Sequence, residues 1–200
     1  MDGCVKMASS GYRTTVDAVW LANTVAVPRG DETVLDVGVG SGGVALCLME
    51  RFPNLKVTGI DISDAMLSNA SVNALANRRD IKLEMNDILT WRTDKKFDIV
   101  MTNPPYFSGT PRDDAAHHNV DIYEWTRSCV KRLVPRGIFY TIVAPDVLDQ
   151  VVAALYYSKC GAITLHPIAT NGDNIERIVI SGRLNVKTKS KMFFPIDESV

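Results

Sequence analysis

From residue 33 onward, short runs of β-branched and aliphatic residues alternate with longer stretches whose apolar residues recur at helical spacing, and few folds accept that order. A strand buried on both faces needs helices on both sides, so the alternation predicts an α/β domain with a doubly wound, seven-stranded, mostly parallel sheet. Strands are expected at 33–37, 56–60, 81–85, 97–102 and 138–143. Helices are expected at 43–52, after Ser63 as N-cap with Ala65, Leu67, Ala70, Val72 and Leu75 as the apolar face, and at 123–133, ending before Pro135-Arg136-Gly137. Pro145 opens a further helix running to about residue 158. Two last strands, 162–167 and 176–181, flank the turn-forming cluster Asn171-Gly172-Asp173-Asn174 and predict an antiparallel hairpin at the sheet edge.

Two hundred residues suffice for one domain. At 46% hydrophobic and 22% charged, the composition is that of a soluble globular protein, with no apolar run long enough to span a bilayer. Residues 1–15 carry no apolar core of a signal peptide, so no membrane contact and a cytoplasmic location are expected. Cys4, Cys47, Cys129 and Cys160 are far apart and form no C-x-x-C pair, which argues against a metal site or a disulfide framework. The methionines and Trp20, Trp91 and Trp125 read as core or helix-packing residues. A formal net charge of −1 does not advertise a nucleic-acid binder, but phosphate contact depends on a local patch. Residues 183–191 carry Arg183, Lys187, Lys189 and Lys191 with no acid, either such a patch or a solvated strand or tail. A monomer is favoured.

The turn after the first strand, Asp36-Val37-Gly38-Val39-Gly40-Ser41-Gly42-Gly43, lets backbone approach a ligand closely because Cβ atoms are missing. Its glycines also satisfy the nicotinamide pattern G-x-G-x-x-G. Asp36 discriminates, since a carboxylate beside the turn repels a pyrophosphate but suits a cofactor with cationic amino and sulfonium groups. Asp61, 19 residues past Gly42, ends the second strand, where a carboxylate can accept both ribose hydroxyls. Ile62 could pack on an adenine face. For each acid the alternative is a helix cap or turn residue.

Asn103-Pro104-Pro105-Tyr106 follows the apolar run 97–102. An amino group on adenine or on a glutamine amide is a poor nucleophile, because its lone pair is delocalised. The Asn103 side-chain carbonyl and the Pro104 carbonyl can accept both of its N–H bonds and stabilise the positive charge that grows on nitrogen during methyl transfer. The prolines fix φ and remove competing donors, while the bland alternative is a strand-ending turn.

Together these motifs resemble the class I S-adenosylmethionine-dependent methyltransferases, with D-x-G-x-G-x-G as motif I and Asn-Pro-Pro-Tyr as the signature of amino-group methylation. The resemblance implies a Rossmann-like methyltransferase fold, S-adenosylmethionine as cofactor and S-adenosylhomocysteine as product. It also implies that Asp36 serves the methionine part, that Gly38, Gly40 and Gly42 admit the cofactor, and that Asp87 receives the adenine amino group with the Ile88 N–H facing a ring nitrogen. Tyr106 would stack on the target. Residues 12–19 and the signature narrow the likeness to bacterial tRNA(Val) adenine-N6 methyltransferases, so RNA, and tRNA in particular, is the expected partner. That family implies Thr15 and Asp17 over the methionine end, and Arg112 and His117 in the loop after the signature. Pro105 and Phe107 would meet the flipped base.

The division implied is an arm and helix covering the cofactor side at 1–30, the methyltransferase domain at 31–183 and a basic tail at 184–200. No substrate domain is expected ahead of the sheet. The rival readings are a release-factor glutamine methyltransferase, a methyltransferase of a ribosomal-RNA amino group, a nicotinamide oxidoreductase, and a cofactor-binding module without catalysis.

Overall fold

A computed structural model of the chain describes residues 5–7, 16–105, 121–169, 174–194 and 196–197. One sheet organises them. Strands β1 (Thr33–Val37), β2 (Lys56–Asp61), β3 (Ile81–Met85), β4 (Phe97–Thr102), β5 (Leu133–Val143), β6 (Cys160–Ala169), β7 (Ile175–Leu184) and β8 (Lys191–Met192) stand in the order β3-β2-β1-β4-β5-β7-β6-β8, with β9 (Ile196–Asp197) also pairing β6. Pairings from β3 to β5 are parallel, and β7 runs antiparallel to both β5 and β6. The expected hairpin is therefore present, with its second strand inserted inward, next to β5. Two two-residue strands beyond the expected seven come from the basic tail, which lies along the outer side of β6.

Helices cover both faces, as strands with alternate residues pointing to opposite sides demand. Helices α1 (Val16–Thr24), α2 (Gly43–Arg51) and α3 (Asp64–Ala76) pack on the face carrying Val34, Ile99 and Ile142. Helices α4 (Ile122–Val130) and α5 (Leu148–Tyr157) cover Leu35, Val100 and Phe139. Trp20 and Trp125 are buried in the two cores, and Trp91 packs against the second. Among the described residues no helix is long and apolar enough to cross a membrane, and no three His, Cys, Asp or Glu side chains converge on a metal-sized site.

Two local expectations are corrected. The helix expected at 123–133 ends at Val130, and β5 already begins at Leu133. Pro135-Arg136-Gly137 lies inside β5 as a bulge, where the pairing jumps from Phe97↔Leu133 to Ile99↔Ile138 and Arg136 takes φ 67°. In α3 the buried stripe is Leu67, Ala70, Asn73 and Ala74, while Val72 and Leu75 face solvent. Ser63 does cap that helix, its hydroxyl accepting from the Met66 N–H at 3.4 Å.

Candidate active site

The carboxyl ends of β1, β2, β3 and β4 share one edge, and the chain leaves each strand there with a polar or glycine-rich turn. After β1, the Gly38 and Val39 N–H groups donate to the Ile60 carbonyl at 2.9 and 3.0 Å, extending the ladder into the turn. Gly38, Gly40 and Gly42 have φ of 69°, 53° and 88°. An L side chain is strained in that region, so the turn requires glycines at these points. The Gly42 carbonyl then accepts the Leu46 N–H at 2.9 Å and α2 begins.

Asp61 holds the turn from the neighbouring strand. Its Oδ2 accepts the Gly40 N–H at 2.9 Å and its Oδ1 accepts the Ser63 N–H at 2.9 Å. A carboxylate has about four lone-pair sites, so each oxygen keeps capacity for a further donor. Asn73, on α3, donates from Nδ2 to the Ser41 carbonyl at 2.9 Å and fixes the other side of the loop. Nothing in the sequence marked Asn73, which occupies a position of the buried stripe where an apolar residue is the default. Ile62 stands beside this loop 72% exposed. After β3, Asp87 Oδ1 accepts the Leu89 N–H at 2.9 Å, the turn role open to it, and the Ile88 side chain is buried.

Asp36 is different. Its carboxyl group is buried beneath the turn, and neither oxygen completes a hydrogen bond, the Ala45 backbone amide of α2 being the near donor. Burial pushes it up to about 8; the nearby charge of Asp61 adds to the rise and the Ala45 backbone amide opposes it. The Asn103 Oδ1, at the end of adjacent β4, is likewise buried without a partner. Buried polar groups are nearly always paired, so two orphans at neighbouring strand ends mark a place where a ligand completes the structure. A carboxylate and an amide oxygen, both acceptors, fit a cationic group and an N–H donor respectively.

Underneath, the Thr102 hydroxyl donates to the Val37 carbonyl at 2.8 Å and accepts from the Trp125 Nε1–H at 3.2 Å. The Trp125 ring lies 3.8 Å from where a Gly38 Cβ would stand. Trp125 therefore braces both the glycine turn and the end of β4 from α4. Pro104 is buried and Pro105 exposed, and both line a recess closed by Ile122, Val143, Ala144, Asp146 and Val147. Asp17, on α1, is buried and pairs with Arg177 of β7, whose Nε lies 3.4 Å from the carboxylate. Arg177 carried no signal beyond a cation beside Glu176 at the start of an apolar run. Thr15, Tyr106, Phe107, Arg112 and His117 lie outside the described residues.

Residues 16–152 match the family model described as "Methyltransferase small domain". A curated tRNA1(Val) (adenine(37)-N6)-methyltransferase of Bacteroides thetaiotaomicron is 31% identical over 180 residues, 84% of this chain and 76% of the relative. A release factor glutamine methyltransferase of Flavobacterium psychrophilum is 40% identical over 92 residues, but that stretch is 46% of this chain and 32% of the relative. In fold, the chain resembles a predicted O-methyltransferase from Agrobacterium tumefaciens, with a TM-score of 0.74, 21% identity and coverage of 92% and 89% of the two chains.

Proposed function

The chain belongs to the small-domain family of S-adenosylmethionine-dependent methyltransferases, and from that premise we propose that it methylates an exocyclic amino group, N6 of an adenine near the anticodon of a tRNA. The observation that carries the reading is the unpartnered Asn103 Oδ1, an acceptor held at the strand end beside the cofactor loop. When bound, the cofactor supplies an electrophilic methyl group on a sulfonium. Asn103 Oδ1 and the Pro104 carbonyl accept the two N–H bonds of the adenine amine, orient its lone pair along the line of transfer and offset the charge that develops on nitrogen. No strong base is needed, since the methylated product loses its proton readily to solvent.

The other roles are those the family resemblance implies. Asp36 faces the cationic methionine end, Gly38, Gly40 and Gly42 make room, and Asp61 accepts the ribose hydroxyls while it holds the Gly40 N–H. Ile62 packs on the cofactor adenine, whose amino group meets Asp87 and whose ring meets the Ile88 N–H. Asp17, braced by Arg177, covers the methionine end together with Thr15. Tyr106 stacks on the target base, which must leave its stack to enter, and Pro105, Phe107, Arg112 and His117 contact the substrate. The names of relatives matching most of the chain support tRNA adenine. The shorter match to release-factor enzymes supports a second reading, a glutamine amide with the same planar nitrogen chemistry.

Asn103→Ala should keep S-adenosylhomocysteine affinity near wild type while turnover falls by at least about 100-fold, the scale of losing one preorganised acceptor. A normal rate in that variant would sink the mechanism. Mass spectrometry of tRNA nucleosides from cells lacking the gene should show loss of N6-methyladenosine. An unchanged level there, with restored methylation of a release factor by added enzyme, would select the glutamine reading.

A further inference from the structure

After β7 the chain crosses the lower end of β6 and turns back along its outer side, and this crossover lines the edge of the sheet with aromatic and basic residues. Asn185, at φ 56°, donates its N–H to the Lys159 carbonyl at 2.9 Å, and Ala162 donates to the Thr188 carbonyl at 3.1 Å. Gly161 permits the crossing, since a Cβ there would collide with the Val186 carbonyl oxygen. Lys191 and Met192 then pair with Thr164 and Leu165, and the Phe193 ring stacks on His166 with centroids 4.2 Å apart.

What the strip leaves in solvent is specific in kind. Phe194 is 94% exposed, and Tyr156 and Tyr157, at the end of α5, are 71% and 69% exposed. Lys159, Lys187, Lys189 and Lys191 are exposed along the same edge, and none forms an ion pair among the described residues. Residues 158–169 and 181–194 contain no Asp or Glu. Exposed aromatic rings and unpaired cations along one edge are the elements of a sequence-tolerant single-stranded nucleic-acid track, the rings stacking bases and the ammonium groups neutralising phosphates.

The register places this track relative to the candidate site. Val179 faces both Ile142 and His166, and Thr102 faces Thr141, so one residue further along β4 Asn103 stands at the height of Ile142, His166 and Phe193. β8 is the fourth strand beyond β4, about 19 Å away at the usual spacing of about 4.8 Å. The strip descends from Phe194 at that height to Lys159, next to Cys160 at the start of β6. We infer that the outer edge formed by Tyr156, Tyr157, Lys159, Lys187, Lys189, Lys191 and Phe194 binds a single-stranded segment of RNA flanking the nucleotide held at Asn103. The inference rests on the RNA reading of the substrate and adds to it a second binding surface, remote from the chemistry.

The test is a salt titration of binding to tRNA and to an unstructured fluorescent oligonucleotide, with S-adenosylhomocysteine affinity measured in parallel. Wild type should bind both RNAs. Replacing Lys187→Gln, Lys189→Gln and Lys191→Gln together should weaken RNA binding at least about tenfold and lower the slope of log affinity against log salt by about two, since each phosphate left without its lysine takes away roughly 0.7. Phe194→Ala should cost about fivefold or more at unchanged slope. Both variants should bind S-adenosylhomocysteine as wild type does, which certifies their fold. Wild-type RNA binding with unchanged affinity and slope in the lysine variant would overturn the track while leaving the RNA reading standing. No RNA binding by wild type that still binds S-adenosylhomocysteine would overturn the RNA reading itself. Displacement of RNA by poly-glutamate at equal charge would assign the strip to acidic polypeptides and overturn the proposal too.

Discussion

Asp36 shows how far a single residue can be read. Its position before a glycine turn marked it as the group that separates a cationic cofactor from a pyrophosphate, and that required only charge and spacing. Its complete burial without a partner was not legible, because burial depends on α2 and on the loop folding over it. The consequence is a pH dependence. An acid held at about 8 is protonated at neutral pH, and a cationic ligand must displace that proton before the full charge attraction is available. S-adenosylmethionine affinity should therefore rise with pH, by at most about tenfold per unit, and level off near 8. Calorimetry from pH 6 to 9 checks this, and Asp36→Asn should bind weakly with no such rise. The same shift means that the folded chain binds more protons than the unfolded one between the ordinary carboxylate range and 8, so stability without ligand falls as pH rises through that window.

At the scale of elements, the parallel strands up to β4 were legible to within a residue, because each is a short β-branched run bounded by glycine, proline or acid turns. The start of β5 was not. Pro135-Arg136-Gly137 is ordinary turn punctuation in a sequence, and only pairing with β4 on one side holds it as a bulge within a strand. Thr102 belongs to the same class of hidden device, since no sequence pattern says that one hydroxyl joins β1, β4 and α4. Thr102→Val keeps the shape but leaves the Trp125 N–H and the Val37 carbonyl unpaired in the core. We expect a loss of about 1–3 kcal/mol, read as a lower urea midpoint at unchanged slope.

For the whole molecule, ligand specificity and stability are linked. A ligand that binds only the folded chain stabilises it by about 2.7 kcal/mol at a hundred times its dissociation constant, a rise in Tm of roughly 5–10 °C for a chain of this size. S-adenosylhomocysteine should produce that rise and NADH none, even though the glycines satisfy both fingerprints. The order of strands, helices and turns and the chemistry of each turn are legible locally, because hydrophobic period and backbone-restricted residues act within short stretches. The tertiary structure alone decided which of those groups are left unsatisfied and which surfaces meet. The Asn103 oxygen is left buried without a partner at the end of β4, Asp17 meets Arg177 across 160 positions, and the tail comes to lie along β6. Such pairings arise from burial and strand register across the whole chain, which no local stretch of sequence encodes.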